Sequence, residues 1–305
     1  MKTSQRAIKL IVTLTLTLVA LGTGVLAWFS MNTRAIASGL EGYAQAGAGG
    51  FYISRSKDKD WTTELDLSDV KVLGITKKFT DITSTNGIQF TTRDGQLVNQ
   101  GYLEFDLYFL TGADLVEIYL TELSISADPT VWQSETHVVV DGRTVEPGDL
   151  LSSSLANAIR VSFEEVEGAG YEDDGANIHY LNIFEKEASQ DALNGSPKLF
   201  GNTIGASTLQ NNFAVQYYNA IHGNVINAVP DLNARGDQVL PEEGIIIGST
   251  RTILVTDEVE HDFGPSYTNY AHIRVRVWVE GWDQEAFNAI MDGTVTINFT
   301  FDLLP

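Results

Sequence analysis

The side chains that most often carry chemistry are missing or scattered in this 305-residue chain. There is no cysteine, so thiolate nucleophiles, thiolate metal sites and disulfides are all ruled out. The five histidines are His137, His179, His222, His261 and His272. No two of them stand at the i, i+4 spacing that puts two imidazoles on one helical face, and no HExxH string occurs, which excludes a zinc protease of that type. No G-x-S-x-G elbow presents a serine, and no glycine-rich loop could cradle phosphate. Carboxylates are abundant, 40 against 19 lysines and arginines, so no pair of them stands out as a glycosidase dyad. The chain reads as a non-enzyme with no cofactor.

Three local features have a sharper reading beside an ordinary one. Glu172, Asp173, Asp174 and Gly175, and likewise Asp257, Glu258 and Glu260, could offer oxygens to Ca²⁺. Neither run fits an EF-hand: with Asp173 at position one, the required glycine falls on Ile178. The alternative is solvated acidic loops. Arg235, Gly236 and Asp237 spell an adhesion tripeptide, and also a simple Gly-Asp turn. Trp278 and Trp282, with Asp283 as a helix cap, could form an aromatic platform for sugars or could pack a helix onto the sheet.

The elements that would position such residues have a period of two. Val295, Ile297, Phe299, Phe301 and Leu303 alternate with Thr296, Asn298, Thr300 and Asp302, as a strand with one buried and one wet face must. Ile273, Val275, Val277 and Val279 alternate with Arg274, Arg276, Trp278 and Glu280. Between these two strands Asp283 could cap a short helix with Ala286, Phe287 and Ile290 on one face. Leu103, Phe105, Leu107 and Phe109 repeat the alternation, and Val116, Ile118 and Leu120 follow at once. The joint at Thr111 to Asp114 would let these two pair as a hairpin. Val138 to Val140 and Arg143 to Val145 flank Asp141 and Gly142, a strong hairpin signal. Residues 159–163 add another strand, Tyr180 to Phe184 a short apolar run, and strands resume at 245–247 and 253–255. Ten or so strands with scarcely any long helical pattern predict an all-β fold: a jelly-roll-like antiparallel β-sandwich with short helices. The Gly-, Asn- and Asp-rich stretch of about 164–243 reads as a loop-rich insertion in a sandwich domain spanning 40–305.

The start of the chain points to export. Lys2, Arg6 and Lys9 precede an uncharged run over residues 10–21, then Gly22, Thr23 and Gly24, with Val25 and Ala27 at the −3 and −1 positions of a signal-peptidase site. Residues 1–27 therefore read as a signal peptide cut between Ala27 and Trp28. The uncharged run continues to Phe29, long enough by the roughly 18-residue criterion for a retained membrane anchor, which is the competing reading. Removing residues 1–27 takes away three basic groups and no acid, leaving 16 basic against 40 acidic groups and a formal charge of −24. Such a field repels phosphate backbones and anionic lipid, so neither nucleic acid nor a membrane surface is an expected partner. Residues 28–39 form an arm. In extended form it places Phe29, Met31, Thr33, Ala35 and Ala37 on one face and Trp28, Ser30, Asn32, Arg34 and Ile36 on the other.

The leader running into Trp28, Phe29 and Ser30, followed by Ala37, Ser38, Gly39 and Leu40, resembles the start of TasA-type exported proteins of Gram-positive bacteria, whose leaders are cut by a SipW-type signal peptidase. The block from Ile273 to Asp283 is similar to one common in clostridial members. The resemblance covers the two ends of the chain and leaves out the 164–243 stretch. It implies an extracellular or cell-surface location and a jelly-roll subunit of biofilm-matrix fibres, with the chain itself as partner. The residues lead to the same mechanism. If the sandwich lacks one strand, an arm with an apolar face can complete the sheet of a neighbouring copy, and head-to-tail donation does not close, so it makes a filament; the same arm could instead fold back onto its own domain or stay undocked. The rival reading is a monomeric secreted or membrane-anchored binding or adhesion module, with carbohydrate as one candidate ligand.

Overall fold

The structure, a computed structural model, describes residues 43–46, 51–57, 59–74, 78–92, 95–112, 116–140, 143–166, 180–186, 198–199, 213–223, 240, 243–252, 269–281, 283, 286 and 294–304. In chain order the strands are β1 (Tyr43–Ala46), β2 (Phe51–Ser54), β3 (Glu64–Asp66), β4 (Asp81–Ile82), β5 (Phe90–Thr91), β6 (Leu97–Val98), β7 (Leu103–Thr111), β8 (Glu117–Ala127), β9 (Pro129–Gln133) and β10 (Val138–Val140). There follow β11 (Arg143–Val145), β12 (Leu150–Ser154), helix α1 (Leu155–Ala158), β13 (Ile159–Glu165), β14 (Leu181–Glu185), β15 (Lys198–Leu199), helix α2 (Phe213–His222), β16 (Ile245–Ser249), β17 (Arg251–Thr252), β18 (Asn269–Glu280) and β19 (Val295–Leu304).

Two mostly antiparallel sheets hold the core between them. The first has the order β16-β8-β19-β1-β3, and the second β14-β13-β18-β7-β2, with β17 and β4 pairing at the two ends of β18. Alternation builds both. On β19 the side chains of Val295, Ile297, Phe299 and Phe301 are fully buried; on β18 so are Ile273, Val275, Val277 and Val279. The sheets meet through aromatic rings: Phe299 lies 5.5 Å from Phe163 and 6.4 Å from Phe105, and Phe301 lies 5.0 Å from Phe109 between ring centroids. Each such buried ring contributes about 2–3 kcal/mol from water exclusion alone. The all-β sandwich expected from the alternation is the fold that forms.

One pairing differs from the sequence expectation. The segments 103–109 and 116–120 do not form a hairpin with each other. β7 joins the second sheet beside β18, and β8 joins the first beside β19. The chain crosses the core instead of turning within a sheet. Both strands present an unbroken apolar face, and the crossing sets those faces against each other. Thr250 stitches the crossing: its hydroxyl accepts from the Val116 amide at 2.9 Å and donates to the Val116 carbonyl at 3.2 Å. The β10–β11 pairing forms as expected, with Val138 opposite Val145 and Val140 opposite Arg143.

Strand β9 follows β8 after Asp128 alone, and β12 runs through the one-turn α1 into β13, so the β9–β12 pair extends from both sheets. Ser154 caps α1 by accepting from the Ala156 amide. Two parts of the 164–243 stretch dock on this framework. β14 pairs with β13 as an edge of the second sheet, and β15 pairs with β12. Helix α2, which the sequence reading did not anticipate, brings Tyr217 against Val138, Val145 and Leu151 in a small separate core.

Candidate assembly surface

The residues singled out at the start of the chain, Ala27 with Trp28 at the cleavage point and Trp28, Phe29, Met31, Thr33, Ala35 and Ala37 in the arm, lie outside the described residues. What the structure describes is β1, the first described strand after them, and the strand edges near it. β1 runs parallel to β19, with Ala44 opposite Phe299 and Ala46 opposite Phe301, and its other side takes the three-residue β3.

On the same flank of the second sheet, the four-residue β2 covers only part of the nine-residue β7. Its register stops at Ser54 opposite Tyr108. The Ser54 hydroxyl ends the strand by donating to the Lys59 carbonyl at 2.6 Å and accepting from the Ser56 amide at 3.0 Å, and Arg55 is then held by Asp69. At the far end of β7, the Leu73 amide donates to the Tyr102 carbonyl at 2.7 Å and the Gly101 amide to the Leu73 carbonyl at 2.8 Å. Only glycine suits that crossing: Gly101 has φ +86°, and a Cβ there would sit 2.0 Å from the Thr80 hydroxyl. Between these two closures, residues 103–107 have β18 on one side and, among the described residues, no strand on the other.

The outer face of the second sheet is covered at both ends and ionic in the middle. At one end Phe90 stacks on Tyr102 at 4.2 Å and meets Trp278 edge-on at 5.2 Å, with Ile82 and Ile183 around them. At the other, Trp61 packs against Tyr270 and Leu110. Across the middle, Arg274 Nε donates to Asp106 at 2.9 Å, while Arg276 bridges Glu104 at 2.7 Å and Glu164 at 2.6 Å. His272 Nε2 stands 3.0 Å from Asp106, and its ring stacks on Tyr108 at 4.3 Å. Burial opposes the charged form of Asp106, but hydrogen bonds from His272 and Arg274 and their charge outweigh it and hold the carboxyl down to about 2.

Trp278 is therefore no exposed sugar platform. Its outward position on β18 is fully buried under the segment from β4 to β6, its indole N–H donating to Glu280 at 3.2 Å. Asp283 is also buried, and its carboxylate receives Arg160 Nη2 at 2.8 Å; Phe287 and Ile290 of the short helix it was expected to cap lie outside the described residues. Arg160 meets Glu185 as well at 2.5 Å, with all three side chains fully enclosed. The sequence reading missed this cluster, because its members are remote in the chain and only the strand register brings them together. Trp282, the acidic runs 172–175 and 257–260, the tripeptide 235–237, His179 and His261 lie outside the described residues. His137 pairs with Glu146 at 2.9 Å, and His222 packs on Tyr218 at the end of α2.

Among the described residues, no three His, Asp or Glu side chains are grouped closely enough to hold a metal ion, and no helix is long and apolar enough to cross a membrane. No family model, curated protein or solved structure matches the chain.

Proposed function

We propose that the chain is an exported structural subunit that assembles head-to-tail into extracellular fibres, each copy lending its arm, residues 28–39, to the sheet of the next. The observation that supports this reading is that a two-sheet core is already assembled among the described residues, all of which lie downstream of the arm. Among the described residues the main cluster runs from Phe51 to Phe301 and lies between the two sheets. An arm with an apolar face that a domain does not need for its own core is free to serve another copy. Among the described residues the short strand β2 pairs with only part of β7, so residues 103–107 have a strand on one side alone, where such an arm would add.

On this reading the leader is cut after Ala27 by a signal peptidase, the fold is of jelly-roll type, and the chain is a member of the TasA-like fibre proteins. Its partner is itself, and no cofactor takes part. Negative-stain electron microscopy of the purified protein beginning at Trp28 tests the proposal. Regular fibres support it; particles that stay monomeric at high concentration would replace it with the surface-module reading.

A further inference from the structure

We propose that the edge of β7 at residues 103–107, which among the described residues has no second strand, is where the arm of a second copy docks, with Arg34 of the incoming arm beside Glu104 and Asp106. The inference rests on the arm being the polymerisation element and assigns its receiving site.

Length, facing and charge agree. The gap between the Ser54–Tyr108 pair and the Leu73–Tyr102 bridge is five residues long, and the alternating stretch of the arm, residues 29–37, spans it with a residue or two to spare at either end. An added strand must match the pleat of β7, whose Leu103, Phe105 and Leu107 point into the core while Glu104 and Asp106 point out. With its Met31, Thr33 and Ala35 turned inward, the arm sets Arg34 outward, on the face that carries those two carboxylates. Among the described residues the ionic row on that face has three carboxylates, Glu104, Asp106 and Glu164, with Arg274, Arg276 and the His272 imidazole among them. Two of its acids, Glu104 and Asp106, lie on the strand bordering the gap and are part-exposed there. Arg34 is the only charged side chain of the arm. A cross-strand pair of opposite charge is favourable, whereas a strand bringing another carboxylate, such as β7 of a second copy, is repelled. The acidic rim thus makes the edge selective for a strand with an outward cation.

The absence of cysteine lets introduced thiols report this contact alone. Mature subunits carrying Arg34→Cys are mixed with subunits carrying Asp106→Cys or, separately, Glu104→Cys, assembled, oxidised mildly and run on a non-reducing gel. Ser124→Cys, on the outer face of the first sheet, is the control acceptor. Disulfide-linked dimers from the Asp106→Cys or Glu104→Cys mixture, and none from the Ser124→Cys mixture, are the expected result. If both acceptor variants melt cooperatively yet fail to join fibres, while Ser124→Cys joins them, the same edge is implicated. Fibres that form in all three mixtures with no dimer, or with dimers through Ser124→Cys, overturn the edge assignment and leave donation standing. A cross-link confined within one chain carrying both Arg34→Cys and Asp106→Cys, with no fibres from the wild type, overturns donation itself.

Discussion

Replacing Arg160 by Met should be among the most damaging single changes in the second sheet. The guanidinium is fully buried between the fully buried carboxylates of Glu185 and Asp283, 2.5 and 2.8 Å away. Removing it keeps most of the side-chain volume and leaves two enclosed carboxylates facing each other without their shared cation. Breaking a buried pair this way costs about 3–5 kcal/mol. In a domain of this size each kcal/mol moves the midpoint by about 2–4 °C, so Arg160→Met should lower Tm by roughly 10 °C. The pH dependence of the loss has a definite sign. Without the arginine, burial and mutual repulsion raise the folded-state pKa of the two carboxyls above their unfolded values. The native form then takes up protons as the pH falls, and the variant regains stability towards acid. Adding Glu185→Gln and Asp283→Asn should recover at least half of the loss at pH 7. Urea unfolding at pH 7 and pH 5 reads both effects. A variant within about 1 kcal/mol of wild type at pH 7, or one that weakens further between pH 7 and 5, would refute the reasoning.

Three further outcomes follow from the same structure and sequence. The Asp106 carboxyl, held at about 2 against an ordinary 3.8, contributes stability that is complete above about pH 4 and lost as the pH falls through 2. The shift is worth at most about 2.5 kcal/mol, and about 1 kcal/mol after screening at a side chain one-third exposed, so the stabilities of wild type and Asp106→Asn should differ at neutral pH and converge in acid titration; a constant gap would remove the linkage. With a formal charge of −24 on the mature chain, copies repel over the Debye length of roughly 10 Å, and light scattering should show assembly speeding up with added salt; assembly fastest at the lowest salt would contradict this. N-terminal sequencing of exported protein should start at Trp28, and a start at Met1 in a membrane fraction would favour the anchored form.

Much of the sandwich was legible in the sequence because alternation identifies strands and their buried faces. β7, β18 and β19 follow from their own side-chain patterns, and β10 and β11 from the Asp-Gly turn between them. Alternation does not say which sheet a strand joins. Residues 103–109 and 116–120 bury the same kind of face whether they pair with each other or oppose each other, and the long pairings of β18 and β19 decide for opposition. Trp278 shows a second limit. It occupies a position that should face water, and its burial depends on Phe90 and Ile82 arriving from far away in the chain to cover it. Helix α2 was hidden because Tyr, Asn and Val within it are mediocre helix formers; the stripe of Phe213, Tyr217 and Ile221 was the available signal. Of the proposed assembly surface, the sequence supplies the arm, while the stretch of β7 with one strand neighbour among the described residues emerges only from the unequal lengths of β2 and β18.

The central claim, that residues 28–36 build the fibre and not the domain, is tested most directly by deleting them from the mature protein and following both properties in one preparation. The account predicts an unfolding transition as cooperative as that of the full mature chain, with Tm shifted by no more than a few degrees, and no fibres by electron microscopy at concentrations where the full chain assembles. Loss of the folding transition would make the arm a strand of its own domain, and fibres of normal appearance would show that assembly uses another contact.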